Sequence, residues 1–376
     1  MNYNAKFSKY LVAATAGLMC LSGCMTLSSQ EKNLSDVIVP EVSLFADNLE
    51  NRSLVENALV EYERVRQEHG NSLRINDVDL FYLEWGSSEG IPFIWSHGLS
   101  SRSFELVQVA EELVESGYRV IAIDSRGHGE TIVSDHNFTL SHIADDINAL
   151  MNELGIEKAV IGGLSLGGFV STAFYEQYPD RALALVLEDG GSDHVQARLE
   201  KYFPQVQGLD ISYGPDTSNT FLTQFDMFRE MFELFQSMAT NPIPQGAYPA
   251  LASLITENED GSFGYRYDGK KLWGDGSRAA FDPSKATELP LFHQSWRRTL
   301  PLETYRNLHV PMLIIDPTGD NLDLSAQNES LHRLHPELIE VIEYPDTPHA
   351  AHVYRPNWFV RDMKSLKEKL DGIVVE

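Results

Sequence analysis

The sequence predicts an α/β fold built on a mostly parallel sheet, on three observations. Short apolar runs bounded by turn residues alternate with segments of helical periodicity from about residue 72 to residue 191. The alternation stops between about 192 and 307 and then resumes to the end of the chain. One apolar run, residues 158–162, leads straight into Gly163-Leu164-Ser165-Leu166-Gly167, and a helical pattern covers 168–178 behind it. Strands that are apolar throughout belong to a sheet covered on both faces. A serine between such a strand and a helix sits in a tight turn, and its neighbours must be nearly free of side chain, which Gly163 and Gly167 are.

The first 24 residues read as an address rather than as fold. Lys6 and Lys9 precede an apolar run over 11–18 that is too short to span a bilayer. Leu21-Ser22-Gly23-Cys24 follows and resembles the lipobox of bacterial lipoprotein signal peptides; the plainer reading is a secretory signal with an incidental cysteine. The resemblance implies cleavage before Cys24, lipid modification of its thiol and anchoring in the cell envelope. With Met25 rather than aspartate next, it implies the periplasmic face of an outer membrane. Cleavage also removes Cys20, so no disulfide is expected. What remains has 27 basic against 55 acidic side chains, a net charge of −28. Such a surface argues against nucleic acid, and against anionic lipid beyond the anchor.

Residues 25–70 read as a polar tether followed by a helix. Ser53-Leu54-Val55-Glu56 has capping-box spacing and opens a helix to about residue 68, with Val55, Leu59, Tyr62 and Val65 on one side. Residues 73–75 and 79–85 flank Asn76-Asp77 as an antiparallel hairpin. A strand over 91–95 ends in Ser96-His97-Gly98-Leu99, and a helix is expected over 104–116. A strand over 118–123 closes on Asp124-Ser125-Arg126-Gly127-His128-Gly129, a helix covers 140–154, and a buried strand over 182–187 ends at Glu188-Asp189.

Residues 192–307 read as an inserted cap between two core segments, 71–191 and 308–376. Phe221, Phe225, Phe228, Phe232 and Phe235 recur at helical spacing beside Met227, Met231 and Met238. This stripe reads as packing of the cap, or as an apolar channel for an acyl or aryl group. Residues 265–273 suggest a hairpin turning at Asp268-Gly269. Alternation resumes with a strand over 312–315, a helix over 326–334, a strand over 338–344 and a last helix over 356–370.

Over roughly 72–372 the chain resembles the α/β-hydrolase superfamily, in particular its esterase and enol-lactonase members. The resemblance rests on the elbow Gly162-Gly163-Leu164-Ser165-Leu166-Gly167-Gly168, on His97-Gly98, on the 124–129 turn, and on His349 standing seven residues before Pro356. It implies an α/β-hydrolase fold with an eight-stranded, mostly parallel sheet, and a serine, an acid and a histidine in that chain order. A serine hydroxyl needs a base within hydrogen-bond reach, the base needs an acid to fix its tautomer, and the tetrahedral oxyanion needs two placed N–H donors. By the resemblance Ser165 is the nucleophile and Leu99 and Leu166 supply the backbone donors. His349 is preferred to His352 as base. Pro348 stands before His349 where the family usually has glycine. The family's Gly-x-x-Asp pattern selects Asp320 as the acid, with Pro317 in the glycine position. Asp189 is the rival, since some members take the acid after the sixth strand. Asp316 and Asp323 read as loop caps, and His97, Asp124 and Arg126 as anchors of their loops.

These residues imply a hydrolase, without cofactor or metal, cleaving a small or medium carboxylic ester or lactone through an acyl-enzyme. Hydrolysis of a C–C bond, an amide or a thioester uses the same triad. A catalytically silent binding protein on this fold is the alternative from another class, suggested by Pro317 and Pro348. His349/His352 and His332/His335 as zinc pairs lack a third ligand at suitable spacing.

Overall fold

In a computed structural model the described residues are 45–206, 219–237, 239–266, 272, 287–319 and 323–374. The lipobox with Cys20 and Cys24, the Asp268-Gly269 turn and Asp320 lie outside them. No helix of the described residues is long and apolar enough to cross a membrane.

A helix, α1 (Leu49–His69), leads into the hairpin β1 (Gly70–Ile75) and β2 (Val78–Trp85). α1 starts ahead of the expected Ser53 cap because Asn48 caps it, its side chain accepting the Asn51 N–H at 2.8 Å. Next come β3 (Ile91–Ser96), α2 (Ala110–Glu115), β4 (Tyr118–Ile123), α3 (Leu140–Glu153), β5 (Ala159–Leu164), α4 (Leu166–Gln177) and β6 (Ala182–Glu188). The helix expected over 104–116 is split, a 3-10 turn at Ser103–Leu106 preceding α2. After the insertion follow β9 (Met312–Pro317), α10 (Ser325–His332), β10 (Ile339–Tyr344), α11 (Ala351–Tyr354) and α12 (Pro356–Val374).

The eight core strands form one sheet in the order β1-β2-β4-β3-β5-β6-β9-β10. β2 is antiparallel to β1 and β4, and every other pair is parallel. All residues of β4, β5 and β9 are buried, as their largely apolar runs require of strands covered on both faces. β3 lies between β4 and β5, so the chain direction of travel across the sheet reverses there. Ligands of open α/β sheets bind beyond the carboxyl ends of strands at such a switch point. The loops carrying His97 and Ser165 leave β3 and β5 at that place.

Between β6 and β9 the chain forms α5 (Val195–Val206), α6 (Gln224–Ser237), α7 (Tyr248–Ser253), the short hairpin β7 (Ile255–Glu257) and β8 (Phe263–Tyr265), α8 (Leu291–Arg297) and α9 (Pro301–Thr304). This hairpin turns through Asn258 and Gly261, and the one expected at Asp268-Gly269 lies outside the described residues. Phe221 precedes α6 and bridges Phe263. α6 buries one half of its circumference, with Phe225, Phe228 and Phe232 along one side of it and Met227, Met231 and Leu234 along the other. The phenylalanine face closes around Phe45, ahead of α1, with ring centroids 6.1, 5.7 and 4.6 Å away. Packing therefore accounts for that face of the stripe.

Buried charge ties the loops at the carboxyl edge. Asp124 is fully buried; its carboxylate pairs with Arg102 at 2.8 Å and accepts the Ser103 and Glu130 N–H groups. Burial alone would raise its pKa, but Arg102 holds it below the usual carboxylate range. Arg102 also donates to the Ser253 carbonyl at 3.2 Å, joining this turn to α7 of the insertion. Arg126 pairs with Asp146 and Asp77. The ring of His97 lies 4.8 Å from that of His128. Its Nδ1–H donates to the Gly98 carbonyl and its Nε2 accepts the Ser125 N–H, so His97 anchors its loop through both ring nitrogens.

Two stability measurements follow. Arg102→Met leaves Asp124 charged and buried without its partner, and should lower unfolding free energy in urea by about 3–5 kcal/mol. Burial, then the neighbouring His97, depress the pKa of His128 to about 3. The unfolded ring, near 6.5, binds a proton that the folded ring refuses, so this residue's contribution is intact above pH 6.5 and is lost as pH falls from there toward 3. His128→Asn should flatten the loss between pH 6.5 and 5 by up to about 2 kcal/mol, at 1.36 kcal/mol per pH unit. Parallel pH–stability curves for the two proteins would contradict it.

Candidate active site

Ser165 sits at φ 53° and ψ −110°, a left-handed conformation that costs a residue with a Cβ about 1–3 kcal/mol. It is held there from both sides. Its N–H donates to the Glu188 carbonyl at 2.8 Å, and its own carbonyl accepts the Gly168 N–H at 3.0 Å. A Cβ at Gly163 would stand 2.3 Å from Gly167, and one at Gly167 would stand 1.8 Å from the Ser96 carbonyl oxygen. The glycines flanking the serine are thus a steric necessity: β5 and α4 cross there in backbone contact.

The neighbouring turn, after β6, carries a carboxylate. Asp189 also has positive φ, 45°, and its N–H donates to the Ile315 carbonyl at 3.2 Å. Gly190 behind it lies against the elbow, where a Cβ would stand 2.3 Å from the Ser165 carbonyl oxygen. Ser165 and Asp189 therefore occupy two strained turns pressed together at the ends of adjacent strands. From the other side His349 meets Asp189, its Nδ1–H donating to the carboxylate at 2.6 Å. The Asp189 side chain is 2% exposed and that of His349 is 29% exposed. With Nδ1 so engaged, Nε2 is the basic nitrogen.

The carboxylate against His349 is thus Asp189, while the expected acid, Asp320, lies outside the described residues. Asp316 is buried at the end of β9, and Asp323 is exposed at φ 48°. His352, the rival base, is fully buried and its ring nitrogens face Glu188 and the Glu105 carbonyl. A base in that position reaches no substrate. Among the described residues no group of three or more His, Cys, Asp or Glu side chains is placed to hold a metal ion.

Leu166 opens α4, where the helix dipole favours negative charge, and Leu99 follows β3 in the loop that His97 anchors. Among the described residues neither N–H is taken up by a backbone or side-chain acceptor. The Leu99 loop is shaped by Ser100 at φ 63° and by the Gly98 N–H, which donates to the Glu105 carboxylate at 3.2 Å. The insertion grips the same loop through the Tyr265 hydroxyl, which donates to the Ser100 carbonyl. A cavity of about 520 Å³ opens beside the acid turn, between α5, α9 and α10, lined by Ser192, Arg198 and Gln327 among others. None of Ser165, Asp189 and His349 lines it, so it is a separate groove.

Two partners escaped the sequence reading, Glu188 for His352 and Tyr265 for Ser100. A signal existed for the first: Glu188 ends a strand with no other charge, and a carboxylate at a buried position needs a partner.

The sequence profile of the α/β-hydrolase fold family matches residues 91–356. Over 109 residues the chain is 33% identical to a bifunctional esterase/perhydrolase of Acinetobacter calcoaceticus, covering 28% of this chain and 39% of that protein. Over 90 residues it is 39% identical to a non-heme haloperoxidase of Rhodococcus erythropolis, covering 24% of this chain and 32% of that one. The chain thus spans less than half the length of these two relatives. Among solved structures, an E-2-(acetamidomethylene)succinate hydrolase superposes over 80% of this chain and all of its own, with a TM-score of 0.61 at 21% identity. That likeness concerns the fold. With the profile covering most of the chain, and with the sheet order and the strained serine elbow described above, the chain belongs to the α/β-hydrolase fold family.

Proposed function

We propose that the protein is a serine hydrolase of carboxylic esters or lactones, with Ser165 as nucleophile, His349 as base and Asp189, rather than Asp320, as the acid. The observation that carries this reading is the pair of strained turns holding Ser165 and Asp189 side by side, with His349 on Asp189 at 2.6 Å. The similarity to an esterase/perhydrolase supports the reaction class.

In this mechanism the Ser165 Oγ attacks the substrate carbonyl while His349 Nε2 takes its proton. Asp189 keeps the imidazole in the tautomer with Nδ1–H and stabilises it when it becomes charged. The N–H groups of Leu166 and Leu99 receive the oxyanion, which is where pre-placed donors act most strongly. Collapse of the tetrahedral intermediate expels the alkoxide, which leaves with the proton held on His349. Water then gives up a proton to His349, attacks the acyl-enzyme and releases the acid with Ser165 restored. Hydrogen peroxide in place of water would give a peracid; the same relative's name favours that as a second reading. The lipobox around Cys24 extends the proposal to a lipid-anchored enzyme of the bacterial envelope, at the periplasmic face of the outer membrane, acting on a small molecule.

A panel of p-nitrophenyl esters and lactones of graded acyl length tests the reading. Ser165→Ala should abolish turnover with the fold intact. Asp189→Asn should lower kcat by about 10³ to 10⁴, the effect of losing the acid in a triad. Asp320→Asn should leave kcat within about threefold. Turnover retained in Ser165→Ala, or a large loss in Asp320→Asn with little in Asp189→Asn, would overturn the assignment.

A further inference from the structure

Behind the proposed triad stands a second acid–histidine pair that the mechanism leaves unused. Glu188 immediately precedes Asp189, and His352 follows His349 by three residues. Both side chains are 0% exposed, against 2% and 29% for Asp189 and His349. His352 Nδ1–H donates to both Glu188 oxygens, at 3.0 and 2.9 Å, and its backbone N–H donates to Oε1 at 3.0 Å. Its Nε2–H donates to the Glu105 carbonyl at 3.2 Å. A carbonyl oxygen only accepts, and the Glu188 oxygens already accept a backbone N–H.

Each end of this chain of hydrogen bonds reaches a loop of the site. The Glu188 carbonyl receives the Ser165 N–H, so one residue fixes the elbow with its backbone and the histidine loop with its side chain. The Glu105 carboxylate receives the Trp95 Nε1–H at 2.6 Å and the Gly98 N–H at 3.2 Å, next to Leu99. The rings of Trp95 and Phe359 close over His352 at 5.5 and 5.7 Å and keep water away.

We infer that Glu188 and His352 are positioning residues: a buried carboxylate–imidazolium pair, with both ring nitrogens of His352 protonated, that holds the nucleophile, acid, base and oxyanion loops in register. The inference rests on the serine-hydrolase reading for what those loops do. Buried ion pairs add little net stability over well-packed apolar residues, but their directional hydrogen bonds specify one arrangement. Burial on its own would lower the His352 pKa; the charge and hydrogen bond of Glu188, helped by Glu105, outweigh it and leave it raised. Glu188 from β6 and Glu105 from the 3-10 turn face the ring directly, and the Glu188 charge, with burial and the hydrogen bond to Asp362, raises the Tyr344 phenol of β10.

The test uses the full chain with ¹⁵N-labelled histidine. At pH 8, where an ordinary imidazole of pKa about 6.5 is neutral, one ring should show two exchange-protected N–H groups, and His352→Gln should remove that signal. The double variant Glu188→Gln/His352→Gln removes both charges together and avoids stranding either; cooperative urea unfolding checks its fold. It should lose about 10- to 100-fold in kcat on the best ester of the panel, the scale of a small misplacement, with KM within about threefold. The downfield Nδ1 proton of His349 should disappear or broaden. Glu188→Asp, which keeps the charge, should lose less. A His352 ring with one bare nitrogen at pH 8, or a double variant with unaltered kcat and His349 signal, would overturn the inference. A wild-type protein that turns over no ester removes the hydrolase reading instead, and the two proton signals still decide whether this pair positions His349.

Discussion

A serine at φ 53° is unfavourable by about 1–3 kcal/mol, and the packing at the carboxyl edge leaves it no relaxed alternative. Moving Ser165 toward an ordinary conformation would break the bond from its N–H to the Glu188 carbonyl and drive α4 into β3, which Gly167 already touches at backbone distance. The same contacts determine what surrounds the serine. Because Gly190 must pass the elbow without a side chain, the turn after β6 is drawn close, and Asp189 is presented from it at φ 45°. Two strained turns support one another, and the functional geometry is a consequence of their packing.

Electrostatics complete what sterics begin. The edge of the sheet holds several buried charges, and each is paired toward a loop rather than within a strand: Asp124 with Arg102, Asp146 with Arg126, Glu188 with His352. In a medium of low dielectric these pairs are costly to break singly, so the loops they connect move together or not at all. The insertion is held by the same means, through Arg102 to Ser253 and Tyr265 to Ser100, in addition to the aromatic packing of α6 on Phe45. The loop of Leu99 is therefore gripped from the core and from the insertion at once.

The core sheet and the serine elbow were legible in the sequence because both rest on local rules. Unbroken apolar runs have one use in an α/β fold, and the glycines beside Ser165 have a steric reason visible in one dimension. His349 and His352 were both legible as candidates on one short stretch, and the structure puts the first against Asp189 and the second, buried, against Glu188. Which carboxylate meets His349 was harder to read. Whether Asp189 or a residue after β9 meets His349 depends on how the turns fold toward each other, a non-local matter that a Gly-x-x-Asp pattern interrupted by Pro317 represents poorly. The cap was read least well in detail. The hairpin of β7 and β8 went unread because its setting depends on contacts such as Phe221 with Phe263, far apart in the chain.

On the proposed reading, this packing makes Ser165 a nucleophile. The most direct measurement is exposure of the full chain to a fluorophosphonate, followed by peptide mass mapping. The expected result is a single stoichiometric adduct, located on Ser165, and none on the other serines. No adduct, or one spread over several serines, would contradict it.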